Sequence, residues 1–315
     1  MAFETLLSPV ILFFLLGVVA AAARSDLSVP EPMAKALSLY LMAAIGLKGG
    51  VSVAKAGFSA EMGWVSLAGM VLSFAVPFMA FALLRSLGRL DRLNAGAVAA
   101  HYGSVSLVTF VTASDALTRA GMAPAGYLVA VLALMETPAI ISGLLLARGA
   151  ATARDGKLWH EVLLNGSVVL LLGAFFVGLA IGEVRYESIA PVFTVGFTGL
   201  LCLFMLDMGL IAMRRLRESR ALSWRLAAIA LILPLVNGTI GLGVAVALGL
   251  APGTGAAFAL LAASASYIAV PAAIRLALPD ADPGVYLSMS LAVTFPFNIL
   301  LGIPLFTALA VQLLG

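Results

Sequence analysis

Charge is scarce in this chain. Only 10% of its 315 residues are Asp, Glu, Lys or Arg, against about a quarter in a soluble domain, so an ordinary water-facing surface cannot be built from it. Cysteine is nearly absent. Cys202 stands alone inside an apolar run, which excludes an intrachain disulfide framework and leaves a redox dithiol without its second member; it reads as a small packing residue. Histidine occurs twice, as His101 and His160, which argues against a histidine-built metal centre. The net charge of +3 is dispersed over short loops and offers no basic face to nucleic acid. No loop is long enough to fold as a soluble output domain of a membrane sensor. The first apolar run, 6–23, has no Lys or Arg before it, unlike a secretory signal, and reads as a retained membrane helix.

What the chain has in abundance is apolar length: 63% of its residues are hydrophobic. They fall into ten runs near 6–23, 33–49, 62–86, 95–119, 122–147, 160–182, 188–213, 223–249, 254–277 and 284–313. At 1.5 Å per residue such runs approach the ~30 Å of a bilayer core. Backbone groups in lipid must bond internally, and the runs lack the alternation of barrel strands. The expected fold is therefore an all-α membrane protein of ten transmembrane helices. Of its 18 basic residues, all but Lys48, Lys55, Arg119 and Arg185 fall on the side holding the loops after spans 1, 3, 5, 7 and 9. The positive-inside rule makes that side cytoplasmic and places both termini outside, in a multi-pass protein of the cell (inner) membrane. The arginines from Arg214 to Arg225 read as topology determinants meeting anionic lipid.

The two halves echo one another. His101-Tyr102-Gly103-Ser104-Val105-Ser106 in span 4 and Ala263-Ser264-Ala265-Ser266-Tyr267 in span 9 each place a small, hydroxyl-bearing stretch in the middle of an apolar run. Ser104 and Ser264 are 160 positions apart, as are Ser106 and Ser266. Gly46-Leu47 matches Gly209-Leu210, Tyr127 matches Tyr286, and Glu136-Thr137-Pro138 matches Thr294-Phe295-Pro296. We read 1–147 and 160–315 as two five-helix repeats joined by a short cytoplasmic linker, 148–159. Five is odd, so the second repeat enters the membrane inverted. Interrupted spans at matching places in two halves point to a transporter's binding site.

The chemistry follows from the interruptions. Gly and Ser weaken a helix, and a break exposes a half-helix N-terminus with free N–H groups and the positive end of the dipole. Two inverted, crossing broken helices, 4 and 9, aim two such ends at one small anion. An anion entering against a negative-inside potential costs about 2.3 kcal/mol per charge per 100 mV, which a co-transported sodium ion offsets. Sodium takes oxygen ligands, and Thr109, Glu136, Thr137, Thr294 and Asn298 are the oxygen-bearing residues beside the breaks. Glu136 leads, because an intramembrane carboxylate is costly and functional. Asp207 reads either as path-lining or as a cytoplasmic-end cap. Lys48 is expected to snorkel outward, His101 to pack or to relay a proton, and Asp115 and Arg275 to remain unpaired with each other. Loss of both Ser104 and Ser264 hydroxyls is expected to abolish binding without unfolding the bundle.

At Gly46-Leu47-Lys48-Gly49-Gly50, His101 to Ser106, Val108-Thr109-Phe110-Val111 and Met135-Glu136-Thr137-Pro138, the chain resembles the sodium-dependent bicarbonate symporters of cyanobacterial carbon-concentrating systems. The resemblance extends through 264–271. It implies a core domain (62–147 and 223–315) moving in elevator fashion against a gate domain (1–61 and 160–222), a homotrimer, and import of bicarbonate by sodium symport. It implies a substrate site of Gly103, Ser104, Val105 and Ser106 facing Ser264, Ala265 and Ser266, with sodium as co-substrate and no cofactor. The short linker departs from cyanobacterial relatives, whose longer loop serves a small cytoplasmic signalling protein, and argues against that partner. The rival within transport is another small anion or an organic carboxylate, coupled to sodium or protons. An intramembrane enzyme using Ser104 with His101, or Glu136 with Asp207, has no third group and no use for the repeat.

Overall fold

The computed structural model describes residues 9–148, 166–218 and 222–315. Twelve helices follow in order: α1 (Pro9–Ala22), α2 (Glu31–Ala56), α3 (Ala60–Ser86), α4 (Arg92–Gly103), α5 (Leu107–Arg119), α6 (Leu128–Arg148), α7 (Gly166–Tyr186), α8 (Phe197–Glu218), α9 (Trp224–Ala247), α10 (Pro252–Ala263), α11 (Ala269–Ala277) and α12 (Pro283–Leu314). No strand occurs among the described residues. Eight helical stretches, counting Arg92–Arg119 across its interruption, are long and apolar enough to cross a membrane. The first and ninth expected spans fall short: α1 has 14 described residues and α10 has 12, roughly 20 Å each at the helical rise. The first eight residues, nearly all of the expected linker, the start of span 6 with His160, and Arg220 lie outside the described residues.

Local chemistry sets the helix ends. Ser59, Asp91 and Ser223 cap α3, α4 and α9 by accepting backbone N–H bonds from Met62, Asn94 and Leu226, relieving donors that lipid cannot. At the last turn of α1, Arg217 donates to the carbonyls of Ala21 and Ala22, while Arg214 reaches Leu27 O just beyond it. Arg217 thus closes the C-terminus of α1 and Arg214 fastens the segment that follows it. Pro296 cannot donate to the turn before it, and α12 takes π-helical form on both sides, over Ser288–Thr294 and Asn298–Gly302.

The helices pack as two groups. In one, α1 lies along α8 and α2 along α7. Glycines make these contacts backbone to backbone. A Cβ on Gly17 would overlap Leu206 O, and one on Gly209 would overlap Phe14 O. One on Gly50 would overlap Phe175 O, and one on Gly178 would overlap Leu47 O. In the other group α3, α4 and α6 pack together, as do α9, α10 and α12. The Phe295 ring on α12 bridges the two groups, 5.4 Å from Phe14 and 5.2 Å from Tyr267.

Candidate functional site

Both expected interruptions are present, and they touch. Span 4 leaves the helix after Gly103: Ser104 is extended at φ −84°, ψ 178°, and Ser106 (φ −104°, ψ 112°) caps α5 by accepting the Thr109 N–H at 3.2 Å. Span 9 leaves the helix after Ala263 and resumes at Ala269. There Ser266 Oγ accepts the Val270 N–H at 3.3 Å. Two hydrogen bonds tie the breaks together: Ser106 N–H donates to Ser264 Oγ at 2.8 Å, and Ser266 N–H to His101 O at 2.9 Å. All of this is buried, so each bond made is one fewer orphaned backbone group.

Close approach explains the residue types. A Cβ on Gly103 would run into Pro77 and the Ser73 carbonyl, so only glycine lets α4 end against the proline bend of α3. Ser73 itself donates to Met135 O, fastening α3 to α6 one residue before Glu136.

A small cavity of about 20 Å³ lies at the junction, room for little more than one water. Val105, Ser106, Ser266 and Glu136 line it, all four expected. So do Leu107 and Ala269, the first residues of α5 and α11, and Ile268 just before α11. Two half-helix N-termini and one carboxylate therefore share a single hollow. Glu136 Oε2 is buried and has no hydrogen-bond partner, and the same holds for Ser104 Oγ, Thr109 Oγ1 and Asn298 Oδ1. Unpaired buried oxygens at this density call for an explanation.

Not every expected residue has a free oxygen. Thr294 Oγ1 donates to Ala230 O and accepts from Tyr102 OH, both at 2.7 Å, and does not line the cavity. Thr137 is half-buried and also lies off the cavity wall. Asn298 donates to Ala263 O at 2.9 Å, holding the C-terminal end of α10, while its Oδ1 stays unpaired. Ser264 departs most from expectation. It donates to Leu261 O at 2.8 Å while accepting from Ser106, so its hydroxyl is engaged in tying the two breaks together. Ala265 is buried between its flanking serines.

The other polar residues resolve similarly. His101 donates from Nδ1 to Ala97 O at 2.7 Å and stacks on Tyr286, centroids 4.5 Å apart. It makes no bond to Ser104, whose Oγ has no partner, which removes the Ser–His dyad of the enzyme reading. Asp115 pairs with Arg119 at 2.9 Å, not with Arg275. Asp207 is buried with Oδ2 unpartnered. Lys48 lies with its ammonium 4.7 Å from the Phe197 ring centroid. Residue reading missed Asn237, fully buried with its amide 3.5 Å from Tyr102 O. Its signal was plain, an amide beside Pro234 in an otherwise apolar run. It also missed Tyr267 and Met42 on the cavity wall; Met42 carries no signal a sequence could give.

These membrane-length helices, with two interrupted spans meeting at a largely apolar hollow that holds a carboxylate, fit a multi-pass membrane protein of the transporter class. The sequence model of the Na+-dependent bicarbonate transporter superfamily matches residues 9–311, nearly the whole chain, and the chain belongs to that superfamily. It is a family of transporters and not of enzymes. A comparison with curated proteins finds no match.

Proposed function

We propose that this protein imports bicarbonate together with sodium, the anion held where the two interruptions meet, in a conformation that widens the water-sized hollow seen here. One observation carries the reading: the first residues of α5 and α11 line the same hollow as Glu136. Two positive dipole ends suit a small oxyanion. The buried carboxylate beside them would repel that anion unless a cation sat between them, which supports coupling to sodium. Gly103, Ser104, Val105, Ser106, Ser264, Ala265 and Ser266 form the anion side of the site, Ser264 as its brace. Thr109, Glu136, Thr137, Thr294 and Asn298 form the sodium side, Thr294 as support. Sodium is a co-substrate here, and no resident cofactor takes part.

The architecture proposed with it is ten crossings in two inverted repeats, α1 and α10 completing the count. The packing supports a two-fold exchange of spans 1 with 6 and 2 with 7. Gly17 meets Leu206 as Gly178 meets Leu47, and Gly209 meets Phe14 as Gly50 meets Phe175. That favours Gly50, one turn beyond Gly46, as the counterpart of Gly209. Residues 62–147 and 223–315 would move as a core against a gate of 1–61 and 160–222, in a homotrimer with both termini outside. At one sodium per bicarbonate the cycle is electroneutral, cancelling the ~2.3 kcal/mol per 100 mV that the anion alone would meet.

Uptake of labelled bicarbonate into proteoliposomes, with and without an inward sodium gradient, tests this. Sodium-stimulated uptake is expected. Equal uptake in both conditions removes the coupling, and stronger competition by a small organic carboxylate than by unlabelled bicarbonate moves the substrate class.

A further inference from the structure

A second, larger cavity of about 420 Å³ opens between α2 and the start of α8 on one side, and α5 and residues 124–129 on the other. Lys48 lines it from α2. Among the described residues no carboxylate lies within salt-bridge distance of Lys48; its ammonium lies 4.7 Å from the Phe197 ring centroid, and Asp115 on the same wall acts on it electrostatically at longer range. The one carboxylate on the wall, Asp115, is already engaged by Arg119 at 2.9 Å. Asp115 is thus shared between Arg119 and Lys48, and the three charges together leave one net positive charge at the cavity. Ser52, Ser114, Thr118 and Thr198 add hydroxyls to the same wall, Ser114 Oγ buried and without a partner.

The cavity lies over the small hollow at the breaks, and the same three helices line both. Helix α2 contributes Met42 below and Lys48 above, α5 contributes Leu107 below and Val111 above, and α6 contributes Glu136 below and Val129 above. Six residues of helix separate Met42 from Lys48, about 9 Å along the axis. The loops bordering the upper cavity are those on the side poor in basic residues, the outer side under the proposed topology.

We propose that this vestibule is a separate docking site for a hydrated small monoanion, with Lys48 as its positioning charge, occupied before the anion reaches the breaks. The proposal rests on the bicarbonate reading for its ligand. At many times the ~30 Å³ of a water, the space admits the anion with hydration intact. A low-dielectric cleft focuses the field of one half-buried cation, whereas the same charge on open surface would be screened within about 8 Å in physiological salt. Lys48 acts on arrival and not on translocation, so it governs KM and its salt dependence.

The test uses the full chain in proteoliposomes, in a Cys202→Ala background with Lys48→Cys added. Removing the ammonium should raise the KM for labelled bicarbonate roughly tenfold, leave kcat within about twofold, and flatten the dependence of kcat/KM on ionic strength. Treating the folded protein with an aminoethyl thiosulfonate, from which the thiolate takes the aminoethylthio group as a mixed disulfide and releases a sulfinate, restores a cation and should restore KM. A sulfonatoethyl reagent, adding an anion, should not. Lys48→Arg should keep KM near that of the unaltered protein. An unchanged KM in Lys48→Cys, or equal rescue by both reagents, overturns the proposal. The two readings fail separately: absence of sodium-driven bicarbonate uptake by the unaltered protein defeats the transport reading. In that event a Thr198→Cys thiol on the same wall, with Lys48 retained, still decides the vestibule: bicarbonate should protect it from the sulfonatoethyl reagent, and a modification rate unaffected by bicarbonate rejects the proposal.

Discussion

Ser104 and Ser264 hold the same place in their interruptions, 160 positions apart, yet only one of them is bonded. Ser264 Oγ accepts the N–H of Ser106 and donates to Leu261 O. Ser104 Oγ touches no donor or acceptor, because Ser266 N–H, which symmetry would send to it, goes to the His101 carbonyl instead. The residues just before them differ as well. Gly103 is pressed against Pro77, whereas Ala263 carries its methyl and gives its carbonyl to Asn298. A repeated motif thus supplies one brace and one free hydroxyl. A site built this way has a rigid wall and an available one.

That contrast can be broken in several ways. The largest effect should come where both walls converge. Glu136→Gln removes the only carboxylate lining the hollow and should weaken sodium dependence of uptake about a hundredfold, the equivalent of roughly 3 kcal/mol. Retention of sodium-stimulated uptake would show that the cation lies elsewhere. Next, Gly103→Ala should lower stability by about 1–3 kcal/mol through overpacking on Pro77, seen as a reduced unfolding temperature in detergent. Ala263→Gly in the other break should cost only about 1 kcal/mol. Equal losses would mean that the two helix ends are pinned alike.

Ser264→Ala strands the buried Ser106 N–H and should cost about 1–3 kcal/mol as well as transport. Ser104→Ala removes an oxygen with no partner. It should change unfolding by less than about 0.5 kcal/mol while lowering uptake, and matched destabilisation of the two variants would abolish the distinction. The smallest expected change is in Asn237→Leu. Its amide makes one long bond to Tyr102 O and leaves Oδ1 unpaired, so an apolar substitute of similar size should be nearly neutral for stability. A loss above about 2 kcal/mol would reveal a stronger role.

The features legible in the residue string are those that depend on spacing along the chain. Both interruptions, the intramembrane Glu136 and the apolar spans follow from composition and from Ser-x-Ser recurring at a fixed offset. Partner choice was not legible. The string cannot tell that Thr294 is consumed by Tyr102 and Ala230, nor that Ser264 faces Ser106, since those partners lie 192, 64 and 158 positions away. Whether Gly46 or, as proposed above, Gly50 is the counterpart of Gly209 is hidden in the string for a related reason. Glycine recurs at Gly46, Gly49 and Gly50, and only the carbonyl each one meets separates them. Lys48 was read as a charge reaching for water; the Phe197 ring and the cavity beside it belong to another span.

The four interlocked glycines of the α1–α8 and α2–α7 pairs have one more consequence. Where main chain rests on main chain there is no layer of flexible atoms to absorb strain, so these pairs behave as masonry set without mortar. In the proposed cycle of core against gate, displacement would then be taken up at the jointed seam around Phe295, where rings can roll. Adding a single methyl to any of the four stones should jam the machine by prising the wall apart, well away from anything that is carried.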